Sequence, residues 1–215
     1  MTAVGNQIPS VVYVDGFNLY YGAVKHTPYK WLDISKMVQL LLPKNKVLKI
    51  KYFTALVNSR PRDPDQPLRQ QIYLRALKTI PNLEIILGHF LSHEISMPLA
   101  NCPPGNQRYA MVIKTEEKGS DVNIATHLLH DGYKGDYEVA IVISNDSDLV
   151  EAIKIVRNEL KKDVIVLNPF KDTPSQELNR FATFVKPIRQ GVLAASQFPS
   201  SMRDQNGTFH KPPKW

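Results

Sequence analysis

The sequence predicts an α/β fold, one doubly wound domain around a mainly parallel sheet, and three observations carry that prediction. Short runs of β-branched residues, chiefly Val11-Val12-Tyr13-Val14 and Val139-Ala140-Ile141-Val142-Ile143, end in Gly, Asn, Asp or Ser and lead into helical periodicity. Runs of that kind are strands buried on both faces. Strand-like and helix-like segments alternate through short connections over most of the chain, the rhythm of βαβ units. Acids follow the runs: Asp15 closes the first, Asp146 and Asp148 follow the second, and Asp121 opens a helical pattern after Lys118-Gly119-Ser120. Ligands of open α/β sheets bind at the carboxyl ends of the strands. That rule would gather these distant carboxylates at one edge.

The elements follow in order. The first strand is expected over Val11–Val14. A helix after Trp31 has Asp33 as its N-cap, an apolar face of Ile34, Met37, Val38, Leu41 and Leu42, and Pro43 as its stop. A strand over Val47–Val57 alternates Leu48, Ile50, Tyr52 and Thr54 against Lys49, Lys51 and Phe53. The loop Asn58–Asp65 leads to a helix carrying Leu68, Ile72, Leu74, Ala76, Leu77 and Ile80, and Leu83–Leu87 is the next strand. Periodicity fails between about residues 90 and 108, where Pro98, Pro103, Pro104 and Gly105 gather. This reads as a loop or protruding hairpin inserted into the domain, with Tyr109–Lys114 as a returning strand.

The helix from Asp121 presents Val122, Ile124, Ala125, Leu128 and Leu129, with Gly132 placed to end it. Strand Val139–Ile143, a helix with Leu149, Val150, Ile153, Val156 and Leu160, strand Val164–Leu167 and a helix near Ser175–Phe184 complete the alternation. Thr173-Pro174-Ser175-Gln176 resembles an N-cap with Pro at the first helical position. The domain is bounded at residues 8–188. Residues 189–215, with Pro199, Gly207, Pro212 and Pro213 and no apolar period, read as a flexible C-terminal tail, with Phe198, Phe209 and Trp215 as its candidate anchors.

Composition bounds the function. At 215 residues the chain is long enough to bury a substantial core. A formal charge of +7 is compatible with a polyanionic partner. A basic protein with a local cluster of acids points to a nuclease better than either feature alone. The single cysteine, Cys102, excludes an internal disulfide and fits a reducing compartment. Met1–Ser10 has neither a basic segment nor an apolar one of the signal type, and stretches such as Val139–Ile143 are far too short to span a bilayer. A cytoplasmic location with no membrane partner is expected.

Acids gathered without basic residues among them repel unless a cation neutralises them, and hard oxygen donors suit Mg²⁺ or Mn²⁺. Asp15, Asp121, Asp146 and Asp148 are therefore both the candidate metal ligands and the candidate catalytic residues. Phosphodiester hydrolysis needs a group that lowers the pKa of the attacking water and neutralises the leaving oxygen, which divalent ions supply. Asn18 and Ser144 are candidates for orienting ligands or the scissile phosphate, Lys118 for touching phosphate, and Arg60 and Arg62 for guiding a nucleic-acid backbone along the rim. Each has a plain structural alternative: Asp at a strand end or helix start is often a turn residue or a cap. The alternative weakens when all the acids fall at strand ends together. His89, His93 and Cys102 lack a fourth ligand for zinc. No GxGxxG or GxxxxGK[ST] motif is present, so neither a Rossmann nor a P-loop cofactor site is indicated.

Three segments in order, Asp15-Gly16-Phe17-Asn18, Lys118-Gly119-Ser120-Asp121-Val122 and Ser144-Asn145-Asp146-Ser147-Asp148-Leu149, resemble the signatures of NYN domains, part of the PIN-like and FLAP-like nucleases. The resemblance spans roughly Val11 to Lys186. It implies a three-layer α/β/α, PIN-like fold and an acidic pocket binding Mg²⁺ or Mn²⁺, with Asp15, Asp121, Asp146 and Asp148 as its acids, Asn18 as the family's asparagine and Ser144 as its serine. It also implies cleavage of RNA, as in the family's nuclease members. Two positions depart from the pattern: Asn145 stands where Gly is common, and His127 where an acid is frequent. The expectation is a divalent-metal-dependent nuclease acting on RNA, open to homo-oligomer formation. The rivals are a weakly catalytic or non-catalytic RNA-binding regulator, and a small-molecule enzyme reusing the acidic pocket.

Overall fold

Three apolar runs, in the first strand, in Val139–Ile143 and in Asp163–Asn168, form the spine of the molecule because they are buried on both sides. The structure is a computed structural model and describes residues 7–101, 108–170 and 172–215. Strands β1 (Ile8–Asp15), β2 (Asn45–Thr54), β3 (Leu83–Leu87), β6 (Val139–Ile143), β7 (Asp163–Asn168) and β8 (Phe184–Pro187) make one sheet in the order β3-β2-β1-β6-β7-β8. Every neighbouring pair is parallel. Along β1, Val12 and Val14 face one core while Val11 and Tyr13 face the other, the two-residue period of a strand. All five residues of β6 are buried, as a central parallel strand requires.

Helices cover both faces and give three layers. On the Val12/Val14 face lie α1 (Gly16–Leu19), continued by a π-helical turn over Tyr20–Val24, then α2 (Ile34–Leu41) and α3 (Gln66–Leu77). On the Val11/Tyr13 face lie α4 (Ser120–Lys134), α5 (Val150–Asn158) and α6 (Gln176–Phe181). Asp33 caps α2 as expected, accepting the Lys36 N–H at 3.0 Å. Several details differ from the sequence reading. Gly135, at φ 77°, ends α4, while Gly132 lies inside the helix where Tyr137 and Leu160 leave no room for a side chain. Ser175 rather than Thr173 caps α6. Leu68 and Val122, expected on apolar faces, are exposed. Phe184 begins β8 instead of ending a helix.

Lys51, on the face of β2 shared with Phe53, is a lysine only 5% exposed. Its Nζ lies 2.9 and 2.6 Å from the two carboxylate oxygens of Asp131 and 3.0 Å from Nδ1 of His127. Tyr13 donates to the same carboxylate at 2.7 Å. Buried charges must be paired and hydrogen-bonded, and this network joins β1, β2 and α4.

The insertion is a hairpin arm: β4 (His89–Pro98) and β5 (Tyr109–Lys118) pair antiparallel over their full lengths. The expected turn residues Pro103, Pro104 and Gly105, and Cys102, lie outside the described residues. The segment expected to be a flexible tail is instead structured and docked. It forms α7 (Gln190–Ala195) and a hairpin of β9 (Ser201–Asp204) and β10 (Gly207–His210). Phe198 and Phe209 are buried against Trp31, and Trp215 packs 6.4 Å from the same ring. Arg75 of α3 fastens the hairpin with hydrogen bonds of 2.7 and 2.6 Å to Asp204. Few apolar residues suffice because each is a large ring reaching the same core residue.

Candidate acidic site

The strand order reverses between β1 and β6. From β1 the chain builds outward through β2 and β3 on one side, and through β6, β7 and β8 on the other. A crevice opens at the carboxyl ends of two such diverging strands. Asp15 ends β1, and Ser144–Asp148 follow β6.

The loops there are tied by a hydrogen-bond chain. Asp15 is 5% exposed and accepts the Asn18 N–H at 2.9 Å and the Ser144 hydroxyl at 3.2 Å. Ser144 Oγ in turn accepts the Asp146 N–H at 3.1 Å. Asn18 Oδ1 accepts the Asn145 N–H at 2.8 Å, bridging the two strand ends. Asp146 caps the short turn after it by accepting the Asp148 N–H at 2.9 Å. Gly16 is required beside Asp15, since a Cβ there would lie 2.7 Å from the Phe53 carbonyl oxygen and 2.8 Å from the Tyr52 hydroxyl.

Asp121, in the first turn of α4, comes to the same place from the other side of the sequence. Asp121, Asp146 and Asp148 each offer a carboxylate oxygen, all within 4.8 Å of one another. Asp15 is not one of that trio; it is more deeply buried and feels the charges of Asp121 and Asp146. Burial pushes the Asp15 carboxyl up to about 6, with Asp121 and Asp146 adding to the rise against the two hydrogen bonds it accepts. Asp121 is likewise pushed up to about 6, by partial burial first and then by Asp146, Glu117 and Asp148. No hydrogen bond or ion pair to a cationic side chain neutralises any of these four acids among the described residues. An all-oxygen donor set with unrelieved like charge is what a hard divalent cation fits.

The other sequence candidates are placed as follows. Asn18 and Ser144 are at the site, where Asn18 Oδ1 and the Ser144 hydroxyl are engaged in bracing the loops. Asn145 needs no left-handed backbone; its side chain donates to Thr173 O at 2.9 Å and accepts the Ser175 N–H at 2.8 Å, pinning the start of α6. Lys118 is exposed at the end of β5 and pairs with Glu116 at 3.2 Å. Arg60 and Arg62 are exposed in the loop after β2, with no hydrogen bond or ion pair to the acids among the described residues. His127 belongs to the Lys51–Asp131 network, and its ring meets Phe53 edge-on at 5.6 Å. His89 and His93 lie on the exposed arm. Glu117 was not anticipated. It accepts the Ser120 hydroxyl at 2.8 Å and adds to the charge around Asp121. Its place at the end of an irregular arm carried no periodic signal.

Comparison with known proteins adds three findings. The NYN domain model matches residues 9–188. The 6-hydroxy-3-succinoylpyridine 3-monooxygenase HspA of Pseudomonas putida (strain DSM 28022 / S16) is 30% identical over 232 residues, covering 95% of this chain and 74% of that protein. A protein of unknown function from Vibrio parahaemolyticus RIMD 2210633, VPA0982, has a crystal structure similar at a TM-score of 0.56 and 17% identity, covering 86% of this chain and 96% of that one. The last likeness is one of fold alone.

Proposed function

This chain belongs to the NYN domain family, and from that premise we propose that it is a divalent-metal-dependent nuclease hydrolysing phosphodiester bonds in RNA. The observation that carries the proposal is the convergence of Asp121, Asp146 and Asp148 within 4.8 Å, with the buried Asp15 ending the neighbouring strand β1, at the reversal point of the sheet. These residues would hold Mg²⁺ or Mn²⁺. A bound ion of this kind supplies Lewis acidity, making a water nucleophilic near neutral pH and offsetting charge on phosphate oxygens.

The chain's own residues supply position. Asp15, through the Ser144 hydroxyl, fixes the loop on which Asp146 and Asp148 stand. Asn18 holds that loop to β1 through Asn145. Preorganised groups of this kind avoid reorganisation during the reaction. The +7 charge of the chain favours a polyanion despite the acidic crevice, and Arg60, Arg62 and Lys118 are proposed to contact its backbone.

The test is cleavage of end-labelled single-stranded and hairpin RNAs with Mg²⁺, Mn²⁺ or EDTA. Asp146→Asn is expected to lower turnover by about 10²-fold or more while leaving RNA affinity similar or higher. Equal cleavage by wild type and Asp146→Asn would sink the reading. Saturable metal and RNA binding without turnover would instead make the protein a regulator.

A second reading is favoured by the extent of the likeness to the protein named as a monooxygenase, which reaches 95% of this chain. Here the crevice serves a small-ring substrate. Incubation with 6-hydroxy-3-succinoylpyridine, dioxygen and a two-electron reductant, followed by mass spectrometry, tests it directly. An unchanged ring compound would count against it.

A further inference from the structure

On the face of the sheet away from α4 and α5 lies a cavity that the acidic crevice does not use. It offers about 90 Å³, partly open to solvent, between α1 and its π-helical turn, the end of β2, the loop before α3, and Trp215. That is room for several waters, or for a small ring that extends into the open side. Tyr20, Tyr52, Tyr73 and Trp215 give it aromatic walls, and Arg69, Lys30 and Asp63 bring charge.

Two polar groups in it stand ready for a partner. Arg69 uses one terminal nitrogen to pair with Asp63; the other, Nη1, is buried and has no hydrogen-bond partner among the described residues. Buried donors are normally satisfied, so an orphaned one calls for an explanation. Tyr52 is 6% exposed, and its hydroxyl makes no hydrogen bond among the described residues. Gly16 leaves the space in which that hydroxyl lies, since a Cβ there would stand 2.8 Å from it.

The backbone is shaped for the cavity as well. A π-helical turn inserts an extra residue into a helix and recurs at functional sites. Here it carries Tyr20 and Tyr21, which both line the cavity with ring centroids 5.3 Å apart.

We propose that this cavity binds a small single-ring aromatic carboxylate, its ring among Tyr20, Tyr52 and Trp215 and its carboxylate on the free edge of Arg69. Flat aromatic walls select a planar ring. Lys30 and Arg69 outnumber Asp63, which selects a negative group, and a guanidinium edge matches the two oxygens of a carboxylate. None of the acids of the crevice is part of the site. The proposal therefore stands apart from both readings of the acidic crevice.

The test is tryptophan fluorescence on the full chain in EDTA, since Trp215 lines the cavity and Trp31 is the other of the two tryptophans. Benzoate and nicotinate are expected to give a saturable change. Benzamide, which keeps the shape without the charge, and acetate, which lacks the ring, should bind at least about ten-fold more weakly. Arg69→Gln should weaken benzoate by about ten-fold or more. Tyr52→Phe, which removes one oxygen, should weaken it several-fold with an unchanged melting temperature. Trp215→Phe should abolish the optical signal while calorimetry still detects binding. Asp146→Asn, which damages only the acidic crevice, should leave benzoate binding intact, so the two proposals fail independently. No saturable change with benzoate or nicotinate at millimolar concentration overturns the proposal, as does equal binding of benzamide. Binding of uridine in place of the carboxylates would make the cavity a nucleobase pocket and overturns it too.

Discussion

Replacing Asp15 by Asn in the metal-free protein should stabilise it, and by an amount that depends on pH in a predictable way. The carboxyl is buried, feels the charges of Asp121 and Asp146, and is pushed from 3.8 up to about 6. A carboxyl whose pKa is raised on folding binds its proton more tightly in the folded state. Its contribution to stability therefore improves as pH falls through the folded value of about 6 toward the unfolded value. Above pH 6 the charged form costs about 3 kcal/mol relative to a group that never ionises. At pH 4.5 the same relation leaves about 1 kcal/mol. Asn keeps the acceptor for the Asn18 N–H and carries no charge, so the variant should exceed wild type by up to these amounts. Asp121, raised for similar reasons, pushes the pH dependence of the wild type in the same direction and is common to both proteins. The assay is urea unfolding of both proteins in EDTA at pH 7.5 and 4.5. Adding Mn²⁺ at pH 7.5 should narrow the gap, because the ion binds only the folded wild type strongly. Parallel stabilities at the two pH values would show that Asp15 is not held against its ionisation, and would refute the electrostatic account of the crevice.

Other perturbations test other parts of the argument. Lys51→Met leaves the Asp131 carboxylate buried beside Tyr13 without its cation, and should cost about 3–5 kcal/mol in urea unfolding. Lys51→Met/Asp131→Leu should recover most of that loss; no recovery would point to packing rather than charge. Phe209→Ala removes a ring lying 6.5 Å from Trp31 and beneath Arg75, and should cost about 3–5 kcal/mol. A thermal midpoint equal to wild type would mean that the C-terminal segment is not docked in solution. Arg60→Ala/Arg62→Ala should flatten the dependence of log affinity for single-stranded RNA on log salt by about 1–1.5. An unchanged slope would place the nucleic-acid contact elsewhere.

The architecture was legible because burial leaves a mark on sequence. Val11–Val14, Leu83–Leu87 and Val139–Ile143 are apolar runs too short for helices, and they proved to be strands of the sheet. The acids were legible because the strand-end rule and three short motifs agreed on their positions. Elements without a periodic pattern were missed. β8 is a partly exposed edge strand of four residues, and β9 and β10 are four residues each. The π-helical turn after α1 has no compositional signature.

What the sequence determined by itself was therefore the doubly wound α/β class, the family, and the acids that belong at the carboxyl edge. Those properties are written in local periodicity and in the order of short motifs. Tertiary structure alone decided that Asp121 joins Asp146 and Asp148 in a trio without the more deeply buried Asp15, because α4 meets the turn after β6 only in the packed domain. It also decided that Lys51 is buried against Asp131, and that Trp215 reaches back to close a cavity with Tyr20 and Tyr52. These are contacts between residues distant along the chain, and each is set by the free energy of burying a ring or a charge against a surface that exists only once the sheet has formed.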